Sequence, residues 1–135
     1  MNEMHLKFLS RSENEIFARN VVAAFALPLN PTLDELSDVK TAVSEAVTNS
    51  IVHGYRACEG WITLMCRTDG DTLHIEISDD GRGIEDVEQA LTPFYTTLPD
   101  EERSGMGFTI MQTFMTTFSV VSEAGRGTTG RMSKQ

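Results

Sequence analysis

Three residues of the kinds that handle protons and phosphates recur at four-residue intervals in the first half of the chain: Glu45, Asn49 and His53. At 100° per residue in an α-helix, their side chains lie within about 80° of one another and form a polar stripe. The stripe has two interpretations. It is the solvated face of an amphipathic helix, or it sets a general base beside an amide oxygen that can ligate a hard cation such as Mg²⁺.

A second candidate segment, Asp79-Asp80-Gly81-Arg82-Gly83, directly follows a β-rich run. Glycine has no Cβ, so Gly81 and Gly83 allow the backbone to approach a ligand closely. Asp79, at the end of the run, can accept a hydrogen bond from an amino group. An ordinary acidic turn has the same composition, so this segment alone leaves both interpretations open.

A third candidate, Arg103-Ser104-Gly105-Met106-Gly107, opens an apolar, helix-like run. Free amide groups and the helix dipole favour a phosphate at such an N-terminus, and Arg103 adds a positive charge. A plain helix start with flexible glycines is the alternative.

The C-terminal segment 125–130 matches the dinucleotide pattern G-x-G-x-x-G. That fingerprint requires a helix after it, and only five residues remain, so it is rejected as a dinucleotide site. A phosphate-binding G-x-x-x-x-G-K-[ST] loop, an HExxH motif and a G-x-S-x-G elbow are also absent from the sequence.

The pattern of apolar residues predicts the elements that position these segments. Alternation at Met4, Leu6 and Phe8 predicts a strand. Capping boxes predict two helix starts, at Ser12 with Glu15 and at Thr32 with Glu35. The first helix is expected to bury Phe17, Val21, Ala24 and Phe25, and the second, about 20 residues long and ending at Gly54, to bury Leu36, Val39, Val43, Val47 and Ile51.

The second half of the sequence predicts a hairpin followed by a long loop. Residues 61–67 and 72–78 are β-rich and flank Asp69-Gly70. The segment 79–107 has no long apolar period, and long loops within compact domains are usually functional or disordered. A helix over 106–118 and a strand over 119–123 are expected next. After Thr128 only Met132 is clearly apolar, which predicts that the final strand is short, frayed or lost.

Composition restricts the class of partner. Of 135 residues 11 are basic and 20 acidic, which gives a formal net charge of −9. A surface of that sign repels nucleic-acid backbones and anionic membranes, so neither is an expected partner, whereas a basic protein fits. ATP is not excluded, because a pocket can be locally positive.

The length predicts one domain over residues 1–135. Neither a signal-peptide core nor the roughly 18 apolar residues of a transmembrane helix is present, so a cytoplasmic protein is expected. Cys58 and Cys66 are eight residues apart, outside any CxxC pattern, and are expected to be reduced thiols.

The order of the candidate segments is more specific than any one of them. Glu45-x-x-x-Asn49, Asp79-x-Gly81-x-Gly83, Gly105-x-Gly107 and Gly127-Thr128 follow one another along the chain. This order resembles the GHKL superfamily of ATP-binding domains, shared by DNA gyrase, MutL and sensor histidine kinases. Within it, segments 12–19, 44–49, 53–55 and 102–110 resemble the sporulation anti-sigma-F family of serine protein kinases, and the likeness spans about residues 3 to 129.

The resemblance implies an α/β sandwich, in which helices cover one face of a mixed, mostly antiparallel sheet and a mobile lid closes over ATP. It implies that Glu45 is the catalytic base, that Asn49 holds Mg²⁺, and that Asp79 accepts from the adenine amino group with support from Thr128. It also implies nucleotide contacts at the glycines of the second segment and at the lid, namely at Gly81, Gly83, Arg103, Ser104, Gly105 and Gly107.

The same resemblance implies an anti-sigma factor that inhibits a sporulation sigma factor as a homodimer and phosphorylates a serine of an anti-anti-sigma protein. Arg19 matches the family's partner-contacting arginine, although an ordinary exposed helix arginine would look the same. Two other functions remain open. One is a detached histidine-kinase-like catalytic domain, and the other is an ATP-gated protein-binding module without transfer activity.

Overall fold

The computed structural model describes residues 1–55, 58–81, 107–123 and 127–135. Within these ranges the chain forms one five-stranded sheet in the spatial order β1-β2-β3-β5-β4, and each pair of neighbours is antiparallel. The strands are β1 (Asn2–Leu9), β2 (Trp61–Asp69), β3 (Thr72–Asp79), β4 (Thr117–Glu123) and β5 (Gly127–Lys134).

The predicted hairpin between β2 and β3 is confirmed. Asp69 pairs with Thr72 across the turn, and Gly70 has a φ of 60°, which L-residues with side chains adopt rarely. Its register aligns the core-facing residues of the two strands, since Leu64 pairs with Ile77 and Cys66 with Ile75. The β2–β3 ladder is therefore a regular part of the sheet.

The expectation that the last strand is short, frayed or lost is wrong. β5 spans eight residues and lies between β3 and β4, so its backbone hydrogen bonds are made on both sides. Met132 is 3% exposed and supplies the apolar anchor. At the end of the strand, Lys134 Nζ donates to the carbonyl oxygen of Phe114 at 2.5 Å and lies 3.5 Å from Asp38 Oδ2. Backbone hydrogen bonds along both edges of β5 thus compensate for its small number of apolar side chains.

Among the described residues, three α-helices accompany the sheet: α1 (Glu13–Ala26), α2 (Leu33–Asn49) and α3 (Gly107–Phe114). The capping box that starts α2 is confirmed: the Glu35 amide donates to Thr32 Oγ1 at 3.1 Å, and the Thr32 amide donates to Glu35 Oε1 at 2.9 Å. A π-helical turn, Ser50–Gly54, continues from α2. The helical run beginning at Leu33 thus ends at Gly54, as the sequence predicts.

The capping box predicted for α1 is wrong. Ser12 already has helical backbone angles, φ −57° and ψ −32°, and its hydroxyl does not cap the helix. A capping hydroxyl needs an extended backbone at this position. The expected buried face is also displaced by about one residue: Ala18, Val22, Ala23 and Ala26 are buried, whereas Phe17 is 49% exposed.

One face of the sheet packs against the helices. Alternate strand residues such as Phe8, Leu64 and Ile75 share a core with Val22 of α1, Val43 of α2 and Met111 of α3. The α/β sandwich implied by the resemblance is confirmed. Both cysteines are free, and burial raises the pKa of the Cys66 thiol to about 12. No helix among the described residues is long and apolar enough to cross a membrane.

Candidate functional site

Asp79 is a carboxylate at the boundary between the sheet and the helices. It is the last residue of β3 and follows Leu73, Ile75 and Ile77 on the core-facing side of the strand. Because side chains alternate along a strand, this parity directs the carboxylate beneath the helices, where Asp79 is 7% exposed. An ionisable group this buried needs hydrogen-bond partners.

Three donors satisfy the Asp79 carboxylate. The Ser50 hydroxyl donates to Oδ2 at 2.8 Å and the Gly81 amide donates to Oδ1 at 2.9 Å. The backbone of Thr128 supplies a third hydrogen bond. Burial raises the pKa of Asp79 above its ordinary range, and these hydrogen bonds to the charged form counteract only part of that rise. The carboxylate is therefore fixed in direction by three elements.

Ser50 was not identified from the sequence. It is 5% exposed and lies where α2 passes into the π-helical turn, one residue after Asn49. A serine at the end of a helix is common, so its type carried little information. The parity of β3 was the available signal, because it places Asp79 on the face that α2 covers and requires a donor from that helix.

Thr128 and Asp79 are directly paired across the β3–β5 ladder. The Thr128 hydroxyl lies 2.8 Å from the hydroxyl of Ser122 on β4. The preceding residue, Gly127, has a φ of 108°, and a Cβ there would collide with the carbonyl oxygen of Asp79. Glycine at 127 therefore allows β5 to approach the end of β3 closely, which brings Thr128 to the carboxylate.

Glu45 and Asn49 lie one turn apart near the C-terminal end of α2, and both are half-buried. Their neighbours Val43, Ala46 and Val47 are buried in the core. Since Asn49 directly precedes Ser50, the polar stripe on α2 runs into the residue that holds Asp79. The end of the helical stripe and the end of β3 are thus linked through the Ser50 hydroxyl.

The side-chain oxygen atoms of Asp79, Asn49 and Glu45 are of the types that a magnesium nucleotide requires. The carboxylate of Asp79 can accept from an adenine amino group, and the amide oxygen of Asn49 is the hard ligand type that Mg²⁺ uses alongside phosphate oxygens and water. The side chain of Glu45, one turn earlier on the same helix, is a general base by type. Geometry and chemistry therefore point in the same direction.

Several predicted nucleotide contacts lie outside the described residues, namely Gly83, Arg103, Ser104 and Gly105, and so does most of the expected lid. Gly81 is described and belongs to the turn after β3, where its amide binds Asp79. Gly107 is the first residue of α3. Their roles toward a nucleotide stay predictions.

Arg19 lies on α1. Its Nη1 is 3.4 Å from Glu15 Oε1, one turn earlier on the helix, and 38% of its side chain is exposed. Its Nε is buried and has no hydrogen-bond partner within the described part of the chain. The guanidinium is thus partly exposed and incompletely paired there.

Known proteins match this sequence over nearly its whole length. Residues 9–134 match a family model described as a histidine kinase-like ATPase domain. The anti-sigma F factor of Thermoanaerobacter sp. (strain X514) is 56% identical over 133 residues, which cover 98% of this chain and 93% of that protein. The anti-sigma F factor of Clostridium acetobutylicum is 54% identical over 134 residues, which cover 99% and 94%.

A solved structure extends the comparison to the fold. The crystal structure of the RsbU and RsbW domains of Rv1364c from Mycobacterium tuberculosis matches with a TM-score of 0.71. The match covers 100% of this chain and 32% of that longer chain, at 17% identity. This likeness concerns the fold alone.

Proposed function

Because the chain belongs to the histidine kinase-like ATPase domain family, and within it to the anti-sigma F factors, we propose that its site binds Mg-ATP and serves two protein partners. As a member of these families, the chain is an anti-sigma factor and an ATP-dependent protein serine kinase. The partners we propose are the sigma factor F, which it inhibits, and an anti-anti-sigma protein, on which it phosphorylates a serine. One kinase domain, residues 1–135, would carry both activities.

The observation that carries the proposal is the buried Asp79 carboxylate held by the π-helical turn after α2, by β5 and by its own turn. Burying an aspartate is unfavourable, and the raised pKa of Asp79 reflects that cost. Function often accounts for such a cost. We assign Asp79 to the adenine amino group, with the neighbouring Thr128 supporting the same edge of the base.

Asn49 would hold Mg²⁺, which when bound neutralises charge on the phosphates. Gly81 and Gly83 would let the backbone pass close to the nucleotide. Arg103, Ser104, Gly105 and Gly107 would surround the phosphates, as the resemblance implies. This assignment places the adenine at the end of β3 and the phosphates toward α2 and the start of α3.

Glu45 would act as the base. Its carboxylate would take the proton of the substrate serine hydroxyl as the serine oxygen bonds to the γ-phosphorus, while the bond from that phosphorus to the bridging oxygen breaks and ADP leaves with the electron pair. Phosphoryl transfer needs positioning and charge neutralisation more than covalent help from the protein. A base on a rigid helix, four residues from the proposed metal ligand, meets that need.

The proposed protein partners are argued from the net charge of the protein and from the exposure of Arg19. A net charge of −9 favours a basic partner, as expected for a DNA-binding sigma factor. The guanidinium of Arg19 is proposed to contact a partner protein, because 38% of its side chain is exposed and its contact with Glu15 Oε1 is long, at 3.4 Å. A homodimer and a cytoplasmic location are proposed from the family.

The experiment is to incubate the purified protein with Mg²⁺, γ-labelled ATP and the anti-anti-sigma protein encoded in the same genome. Acid-stable label on that protein is the expected result. Acid-labile label would indicate phosphohistidine and contradict the serine kinase. ATP binding without any label would favour a nucleotide-gated binding module instead.

The role of Arg19 is tested by binding of the sigma factor F from the same genome in the presence of ATP. Arg19→Ala is expected to weaken binding about tenfold, because a charge-assisted contact is lost. Arg131→Ala is the matched control, since Arg131 is an exposed, ion-paired arginine on β5. Equal binding by both variants and the unmodified protein would remove Arg19 from the interface.

A further inference from the structure

Tyr55 connects the turn after β3 to the start of β2. Its hydroxyl donates to the carbonyl oxygen of Trp61 at 2.5 Å and accepts from the amide of Asp80 at 2.7 Å. The residue is 8% exposed, and burial raises the pKa of its hydroxyl, so the phenol stays protonated and can donate at neutral pH.

The Asp80 amide is the first backbone donor beyond the β3 ladder. Asp79 still pairs with Ile62 on one side and Thr128 on the other, and that is where the register of β3 ends. The tyrosine hydroxyl therefore takes over from strand pairing at the residue directly after the carboxylate. The next residue, Gly81, donates its amide to Asp79 Oδ1, so the Asp80 backbone lies between the tyrosine hydroxyl and a donor to the carboxylate.

The ring itself is held in one place. A Cβ at Gly60 would collide with the Tyr55 ring, so the glycine lets the chain pass directly against it. The Tyr55 amide donates to the carbonyl oxygen of Ser50 at 2.9 Å and closes the π-helical turn. That turn consequently contacts the Asp79 segment at both ends, through the Ser50 hydroxyl and through the Tyr55 hydroxyl. π-Helical insertions of this kind occur frequently at functional sites.

We propose that Tyr55 is a positioning residue for base recognition: by holding the Asp80 amide it aims the Asp79 carboxylate at the adenine amino group. The inference rests on the proposed function, which assigns adenine to Asp79. Tyr55 itself does not touch the nucleotide in this account. Its removal should reduce discrimination for the amino group rather than the chemistry of transfer.

The test compares two nucleotides, ATP and purine riboside triphosphate, which lacks the 6-amino group, both with Mg²⁺. The ratio of their dissociation constants measures recognition of the amino group and does not depend on the fraction of folded protein. Tyr55→Phe keeps the ring but loses the hydroxyl, and we expect it to reduce this ratio about fivefold. The kcat at saturating ATP is expected to stay within about twofold of the unmodified protein.

Two further variants separate the possible failures. Ser133→Ala removes a buried hydroxyl at the other end of the β3–β5 ladder and should leave the ratio unchanged. Asp79→Asn should abolish most of the discrimination. If Asp79→Asn abolishes it and Tyr55→Phe does not, the positioning role is wrong while the adenine site stands. If the unmodified protein does not discriminate between the nucleotides, the assignment of adenine to Asp79 fails and the inference fails with it.

Discussion

The two halves of the candidate site are held in different ways. Asp79 is buried and is fixed by contacts from the π-helical turn after α2, from β5 and from its own turn, all distant in sequence except the last. Glu45 and Asn49 are half-buried on a regular helix, and the geometry of that helix sets their spacing. The part around Asp79, the proposed binding half, thus depends on tertiary structure, whereas Glu45 and Asn49, the proposed transfer half, depend on local structure. Substitutions should be able to separate the two.

The largest effect is expected at the transfer half. Glu45→Gln removes the proposed base but keeps the size of the side chain, so the rate of phosphoryl transfer should fall on the order of 10² to 10⁴. The dissociation constant for ATP should change little, because Glu45 is assigned no contact with the adenine ring. Single-turnover transfer and calorimetric ATP binding measure the two quantities. Glu76→Gln, on the face of the sheet away from the helices, is the matched control.

The next largest effect is expected at the binding half. Asp79→Asn should weaken ATP binding on the order of 10- to 100-fold, because a charge-assisted hydrogen bond to the adenine amino group is lost. The amide oxygen can still accept from Gly81 and the amide nitrogen can donate to Ser50, so the fold should be kept. Titration of ATP into the folded variant measures the loss. Unchanged affinity would exclude Asp79 from base recognition.

Asp79→Asn also tests how the Asp79 carboxylate makes the unfolding free energy depend on pH. The pKa of Asp79 is raised in the folded protein, so its contribution to stability is fully present below the unfolded value, about pH 3.9, and is lost as the pH rises through the folded value. The unfolding free energy of the unmodified protein, relative to Asp79→Asn, should therefore decrease over that window and then stay constant. Urea unfolding at several pH values tests the sign, and a relative increase would contradict it.

The smallest effect is expected for Ser50→Ala. Loss of one hydrogen bond to the carboxylate should cost about 1 kcal/mol of unfolding free energy. It should also raise the pKa of Asp79 further, because a donor to the charged form is removed. Chemical denaturation and the pH dependence of ATP affinity would detect the two changes. Neither change would be expected if the Ser50 hydroxyl were only incidental.

The same contrast explains how much could be predicted from the sequence. The capping box at Thr32, the apolar stripe of α2 and the spacing of Glu45 and Asn49 are local patterns, and the sequence predicts them directly. Ser12 has the same local pattern as Thr32, yet its backbone is helical and it caps nothing. A capping motif specifies the possible hydrogen bonds, while the path of the chain from β1 decides whether they form.

The rest depended on contacts between distant segments. β5 has few apolar residues, and its position between β3 and β4 gives it two sets of backbone partners that no local pattern reveals. Gly127 is needed because β5 passes against the carbonyl of Asp79, and Ser50 and Tyr55 matter because α2 ends beside the same turn. The resemblance to a known family implied roles for the motifs but not these contacts.

We propose a separation of ATP binding and phosphoryl transfer between the two halves of this site. It is tested most directly by measuring ATP affinity and serine phosphorylation for the unmodified protein, Glu45→Gln and Asp79→Asn in parallel. We expect Glu45→Gln to bind ATP normally without transferring phosphate, and Asp79→Asn to lose affinity while transferring phosphate at saturating ATP. Loss of both properties in each folded variant, or transfer by Glu45→Gln at the unmodified rate, would contradict the account.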